Sequence, residues 1–127
     1  MVTQILNIAA VGIGGGLGAV LRWLVAVMLS AHPLTSKFPL ATFAVNIAGC
    51  VLIGLFVAVD ARGEPHSLLR LFFVTGILGG FTTFSTFGLE TASMLRGGHL
   101  FDAFLYVSAS VVLGVCGVFF GLWLGKT

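Results

Sequence analysis

The sequence predicts an all-α integral membrane protein with four transmembrane helices, the third of them broken near the midplane. Three observations predict it. Of 127 residues, 58% are hydrophobic and 8% charged, where soluble domains carry about 25% charged residues. Short polar connections divide the chain into apolar runs at about 5–29, 39–59, 68–94 and 100–124, each near the roughly 20 residues a span needs. The third run is interrupted by Gly79-Gly80-Phe81-Thr82-Thr83-Phe84-Ser85-Thr86-Phe87-Gly88. Residues 1–127 therefore read as one transmembrane domain embedded in a lipid bilayer.

The net charge of +2 rests on few groups and implies no nucleic-acid partner. Cys50 and Cys116 fall inside apolar runs and are expected to be small hydrophobic residues, with no disulfide or metal. Met1 to Asn7 carries no basic side chain, and the apolar run that follows is too long for a secretory leader, so none is expected.

The first span is dense in glycine from Gly12 to Gly18. Gly14 to Ala19 matches GxGxxA, but no strand precedes it and no acid follows at the spacing of a dinucleotide site. Gly12/Gly16 and Gly14/Gly18 are small-xxx-small pairs that let helices approach closely in lipid. Arg22, late in this span, has three readings: snorkelling to the headgroups, a vestibule charge, or an ion-pair partner for Glu90. The connection after it holds His32, read as a solvated loop residue, with Pro33 and Lys37.

The second span carries one strongly polar side chain, Asn46, with Thr42 and Gly49 on the same helical face. An unpartnered amide in an apolar medium costs roughly 2–7 kcal/mol. Asn46 must therefore face protein or water, as glue between helices or as a donor to a passing anion. Asp60, Arg62, Glu64, Pro65 and His66 form the polar turn that follows.

In the third span, the adjacent glycines 79 and 80 weaken the helix, and the β-branched pair Thr82 and Thr83 stiffens against it. A helix broken in lipid frees backbone amides and carbonyls that protein, water or an ion must satisfy. Phe84 and Phe87 share one face after the break, with Ser85 and Thr86 between them. Aromatics and hydroxyls beside freed backbone suggest an ion path. Glu90 lies further along, toward the membrane side of Arg22, as a functional acid or half of an ion pair.

Arg96-Gly97-Gly98-His99 is a tight connection. The fourth span carries Tyr106 and Ser110 four residues apart, then a seam of Gly117, Gly121 and Gly125 expected to serve packing. Asp102 suits the positive end of this helix dipole.

Flanking charge gives almost no orientation. Arg62, Arg70 and Lys126 fall on one side, Lys37, Arg96 and the interfacial Arg22 on the other. The positive-inside rule needs an asymmetry. Balanced charge lets copies insert both ways and pair as an antiparallel dimer, with two copies of each site around one axis.

The run GGFTTFSTF, Asn46, the early GxxGAxxR from Gly15 to Arg22, and four short spans of balanced charge together resemble the Fluc (CrcB-type) fluoride channels. The resemblance covers nearly the whole chain. It implies a dual-topology antiparallel homodimer in a bacterial inner membrane, with two fluoride pores and a central structural Na⁺. By this resemblance Phe84 and Phe87 line the pore, Asn46 is its central amide, and Ser85 and Thr86 belong to a polar track. Thr42, Tyr106 and Ser110 also lie on the pathway, and backbone carbonyls of Gly79 and Thr82 hold the Na⁺. Gly114 departs from relatives that carry a serine there.

Two rivals differ in class. A small proton-coupled multidrug exporter needs a titratable group where substrate binds, and only Glu90 could serve. An enzyme would need an acid with an adjacent base or metal set, which the spans lack.

Overall fold

A computed structural model describes residues 1–36, 38–60 and 67–126, so Lys37, Arg62, Glu64, Pro65 and His66 lie outside the described residues. Among these residues the chain is all-helical, and four segments are long and apolar enough to cross a membrane. They are α1 (Val2–Leu29), α2 (Leu40–Val59), a third span over Leu68–Arg96, and a last helix, Leu100–Leu124. The third span divides into α3 (68–81) and α4 (Phe84–Arg96), so the last helix is α5. A single 3₁₀ turn, Pro33–Ser36, follows α1.

The break lies at the threonines and leaves the glycines helical. Thr82 has ψ 159° and Thr83 has φ −152° and ψ 120°, both extended. Gly79 keeps φ −62° and ψ −38°, an ordinary helical pair. Gly80 is needed instead for packing, since a Cβ on it would strike the Gly15 carbonyl of α1. The β-branched threonines are the residues that leave the helix, in line with their preference for extended backbone. Upstream of the break, Leu71–Leu78 is wound as a π-helix of eight residues. Such winding occurs mostly as single turns and often near functional sites. Nothing in the sequence pattern signals it.

Two helix pairs make the body of the chain, α1 along α3 and α2 along α5. Both seams are built from glycine. Gly14 and Gly18 are buried against α3 at Phe72 and Ile77, whereas Gly12 and Gly16 face open space. Only one of the two small-xxx-small pairs of α1 thus packs within the chain. On the other seam Gly54 meets the Val118 carbonyl, and Gly121 the Val51 carbonyl, backbone against backbone. Gly117 and Gly125 continue the seam against Val51 and Ala58. This closeness is what lets short side chains of α2 reach α4. Beyond it, Asp60 and Arg70 pair at 3.3 Å and tie the end of α2 to the start of α3.

Gly121→Val should force the α2–α5 seam apart and destabilise the chain by about 1–3 kcal/mol, the usual cost of overpacking. Gly12→Ala, with nothing within 4 Å of the added carbon, should be tolerated. Denaturation midpoints of the two variants in detergent would check this, and equal midpoints would contradict the packing described.

Candidate ion pathway at the helix break

The break frees backbone groups, and several of them find partners elsewhere in the chain. Thr82 N–H still reaches the Leu78 carbonyl at 3.0 Å. Thr83 N–H turns away and donates to Asn46 Oδ1 at 2.8 Å, while Asn46 Nδ2 donates to the Thr83 carbonyl at 3.0 Å. One amide on α2 thus closes a two-bond ring with one peptide of the break. Its geometry is that of a strand ladder, supplied by a side chain. Gly49, one turn further along α2, leaves room for the Thr82 methyl, which a Cβ there would strike. The Thr82 hydroxyl bonds back to the Leu78 carbonyl at 2.9 Å.

Two carbonyls lose their helical donors. The donor for Gly79 would be Thr83 N–H, which goes to Asn46. The donor for Thr82 would be Thr86 N–H, which goes to the Thr83 hydroxyl at 3.2 Å and so caps α4. The Thr82 carbonyl accepts instead from Arg22 Nη1 at 3.4 Å, a long bond. Gly79 and Thr82, the pair that the resemblance implies, are thus among the carbonyls at the break that lose their intrahelical donors. They fit a hard cation that takes oxygen ligands.

Beside the break lies an open cleft of about 400 Å³. Asn46, Phe84, Phe87 and Ser110 stand on its wall with Gly79 and Thr82, and no charged side chain lines it. Phe84 is 83% exposed although it starts a helix in the middle of a span. Its ring pairs with Phe87 at 5.6 Å between centroids, and Phe87 continues to Tyr106 at 5.1 Å. The Ser110 hydroxyl is buried and has no hydrogen-bond partner among the described residues. A serine in a helix usually bonds back to a carbonyl, so this one is free to serve the cleft.

Past the phenylalanines the polar groups converge on Glu90. Thr42 Oγ1 and Tyr106 Oη each donate to its carboxylate at 2.7 Å. Both donors are buried, and Tyr106 has no exposed surface. Arg22 and Glu90 form no ion pair, which corrects that reading of the two residues. The carboxylate is already filled by hydroxyls from α2 and α5, and the guanidinium is directed from α1 to the break. Ser85 and Thr86 sit around the Thr83 hydroxyl at 3.3 and 3.0 Å. Among the residues singled out from the sequence, the structure thus joins Asn46, Phe84, Phe87 and Ser110 on one wall, and Thr42, Tyr106 and Glu90 in a second cluster. Sequence reasoning gave Thr83, with Thr82, a part in interrupting the helix but no part in capping α4. Its signal is the rule that threonine caps a helix start, applied inside a span.

The fold and this site define a class: a multi-pass membrane protein with a helix break lined by uncharged donors and ring edges. Over residues 9–122 the chain matches the family described as CrcB-like protein, Camphor Resistance (CrcB), and it belongs to that family. It is 48% identical over 124 residues to a protein of Agrobacterium fabrum named fluoride-specific ion channel FluC, covering 95% of this chain and 97% of that one. A protein of the same name from Phocaeicola vulgatus is 44% identical over 114 residues, covering 90% and 93%. Another, from Flavobacterium psychrophilum, is 43% identical over 117 residues, covering 91% and 94%. These relatives are named as ion channels, which are not enzymes.

Asn46→Asp keeps an acceptor for Thr83 N–H but removes the donor to the Thr83 carbonyl. An unpaired buried carbonyl should lower the unfolding free energy by about 1–3 kcal/mol. Thermal unfolding followed by helical circular dichroism reads the loss. A variant as stable as the parent chain would mean that the two-bond ring does not hold the break.

Proposed function

We propose that this chain is a fluoride-selective channel that lets fluoride leave the cytoplasm passively across a bacterial inner membrane. The observation that carries the reading is the uncharged aromatic and amide wall at the break, in a chain whose relatives are named fluoride-specific. The working unit is an antiparallel, dual-topology homodimer with two pores, because the cleft is open on one side and a second copy would close it.

The chemistry follows from the donors. Asn46 uses one N–H of its amide on Thr83, which leaves its second N–H for an anion. Phe84 and Phe87 present positive ring edges to a small anion without a fixed cation that would trap it. Ser110, Ser85 and Thr86 add hydroxyl donors that replace water. At the far end Thr42 and Tyr106 already donate to Glu90, so fluoride would hold these protons only by competing for them. Such competition keeps binding weak enough for release, as conduction needs. Selectivity for fluoride over chloride rests on the name of the relatives, fluoride-specific ion channel.

The Gly79 and Thr82 carbonyls of two copies, four oxygens around the dimer axis, would hold a structural Na⁺. Bound there, the cation would neutralise the clustered carbonyl dipoles and join the subunits. The exporter reading draws no support from the relatives.

Chain reconstituted in liposomes should release fluoride and retain chloride. Phe84→Ile and Phe87→Ile keep apolar bulk and lose the ring edge, so each should slow fluoride efflux about tenfold, or about 1.4 kcal/mol in the barrier. Equal fluoride and chloride efflux from the parent chain would overturn the reading, and unchanged efflux in both variants would reduce the rings to packing.

Assembly is tested separately. His99→Cys in a background with Cys50 and Cys116 replaced should react with an impermeant thiol reagent from both sides of the membrane within one population. Labelling from one side only would contradict dual topology. Replacing Na⁺ by a much larger cation should weaken the dimer in gel filtration, and an unaffected dimer would remove the cation site.

A further inference from the structure

We propose that Thr83 is a positioning residue of the pathway: its hydroxyl fixes the direction in which the Thr86 hydroxyl donates. The inference rests on the channel reading above and adds a residue that reading does not use.

Every polar atom of Thr83 is engaged. Its peptide N–H and carbonyl are both held by Asn46. Its hydroxyl oxygen accepts Thr86 N–H at 3.2 Å and donates its proton to Thr86 Oγ1 at 3.0 Å. Ser85 Oγ lies 3.3 Å away. A hydroxyl has one proton and two acceptor positions, so the single Thr83 proton is spent on Thr86. Thr86 Oγ1 is then an acceptor toward Thr83, and its own proton must point elsewhere.

Other hydroxyls of α4 behave differently. Thr91 Oγ1 and Ser93 Oγ donate back to the Phe87 and Leu89 carbonyls, each at 2.8 Å, the default for such residues in a helix. A proton used in that way is lost to an anion. The equivalent acceptor for Thr86 would be the Thr82 carbonyl, four residues back at the break. Thr83 draws the Thr86 oxygen toward itself and keeps it from that default.

The position of Thr83 gives this consequence. It lines the phenylalanine cleft and also a second cleft of about 370 Å³, walled by Arg22, Thr42 and Thr86. Among the described residues no other lines both. Thr83 is 8% exposed, held in place from α2 by Asn46, and so can impose direction on its more accessible neighbours. An anion passing from the Arg22 side to the phenylalanine side would meet a Thr86 proton already turned away from Thr83.

The test is a double-mutant cycle of fluoride efflux from liposomes, with dimer content checked by gel filtration. Thr83→Val keeps the shape and removes the hydroxyl. It should slow efflux about tenfold, the factor that one lost hydrogen bond in the barrier gives. Thr86→Val should do about the same, and the double variant should be no slower than either single one. Thr83→Ser, which restores the hydroxyl, should conduct at the parent rate. If Thr83→Val does not assemble, Thr83→Ala takes its place. Parent-rate efflux in the valine variant, multiplying losses in the double variant, or a serine variant as slow as the valine one would each overturn the proposal while the channel reading stands. A parent chain that passes no fluoride would overturn both.

Discussion

A helix cannot stop in lipid without partners for the backbone groups it gives up, and this constraint organises the whole chain. The hydrocarbon supplies no water, so each freed amide or carbonyl needs a protein group, an ion or a bound water. At Thr83 the cost is met from one direction. Asn46 reaches across from α2 and satisfies both sides of one peptide. That reach requires α2 to lie close, which Gly49 permits at the break and the glycine seam with α5 maintains along its length. The packing of small residues and the polar centre are therefore parts of one arrangement. Enlarging a seam glycine would move Asn46 away from Thr83.

The same arrangement explains how a path for an anion can avoid fixed charge. A lysine or arginine in the wall would attract fluoride but also hold it. Here the positive potential comes from partial charges: ring edges, an amide N–H, hydroxyl protons and the start of α4. Arg22 is near, but its guanidinium is turned to the Thr82 carbonyl and does not line the phenylalanine cleft. Glu90 sets the opposite limit. As an acceptor for Thr42 and Tyr106, it would compete for their protons with an anion on the proposed pathway and so weaken its hold there.

Much of this was legible in the sequence, for reasons that differ by residue. The spans follow from length and hydropathy, and the expected 5–29 and 68–94 compare with helices over Val2–Leu29 and Leu68–Arg96. Asn46 was visible because a lone amide in an apolar span must be satisfied. The phenylalanine pair was visible from its spacing. Other features were not, because they depend on what lies across the fold. Gly79 and Gly80 read as part of the break beside Thr82 and Thr83, yet only the threonines leave the helix, and Gly80 serves the contact with Gly15. Gly12/Gly16 and Gly14/Gly18 read alike, and only the neighbouring π-helix decides which pair packs. Arg22 and Glu90 suggested a pair by charge and depth, but hydrogen-bonding groups from α2 and α5 were the nearer partners of the acid. Thr83 is one of several threonines in its run, and nothing local distinguishes the one that caps α4.

The most direct measurement uses the chain's two asparagines, Asn7 and Asn46. With Asn7 replaced by Gln and the remaining asparagine side chain labelled with ¹⁵N, ¹⁹F–¹⁵N dipolar recoupling in a bilayer reports any fluoride beside that amide. A coupling at hydrogen-bond distance, abolished by Phe84→Ile, is the result expected of a fluoride path at the helix break. Fluoride in passage with no coupling to Asn46 would place the path elsewhere and leave the amide as the clasp of the break alone.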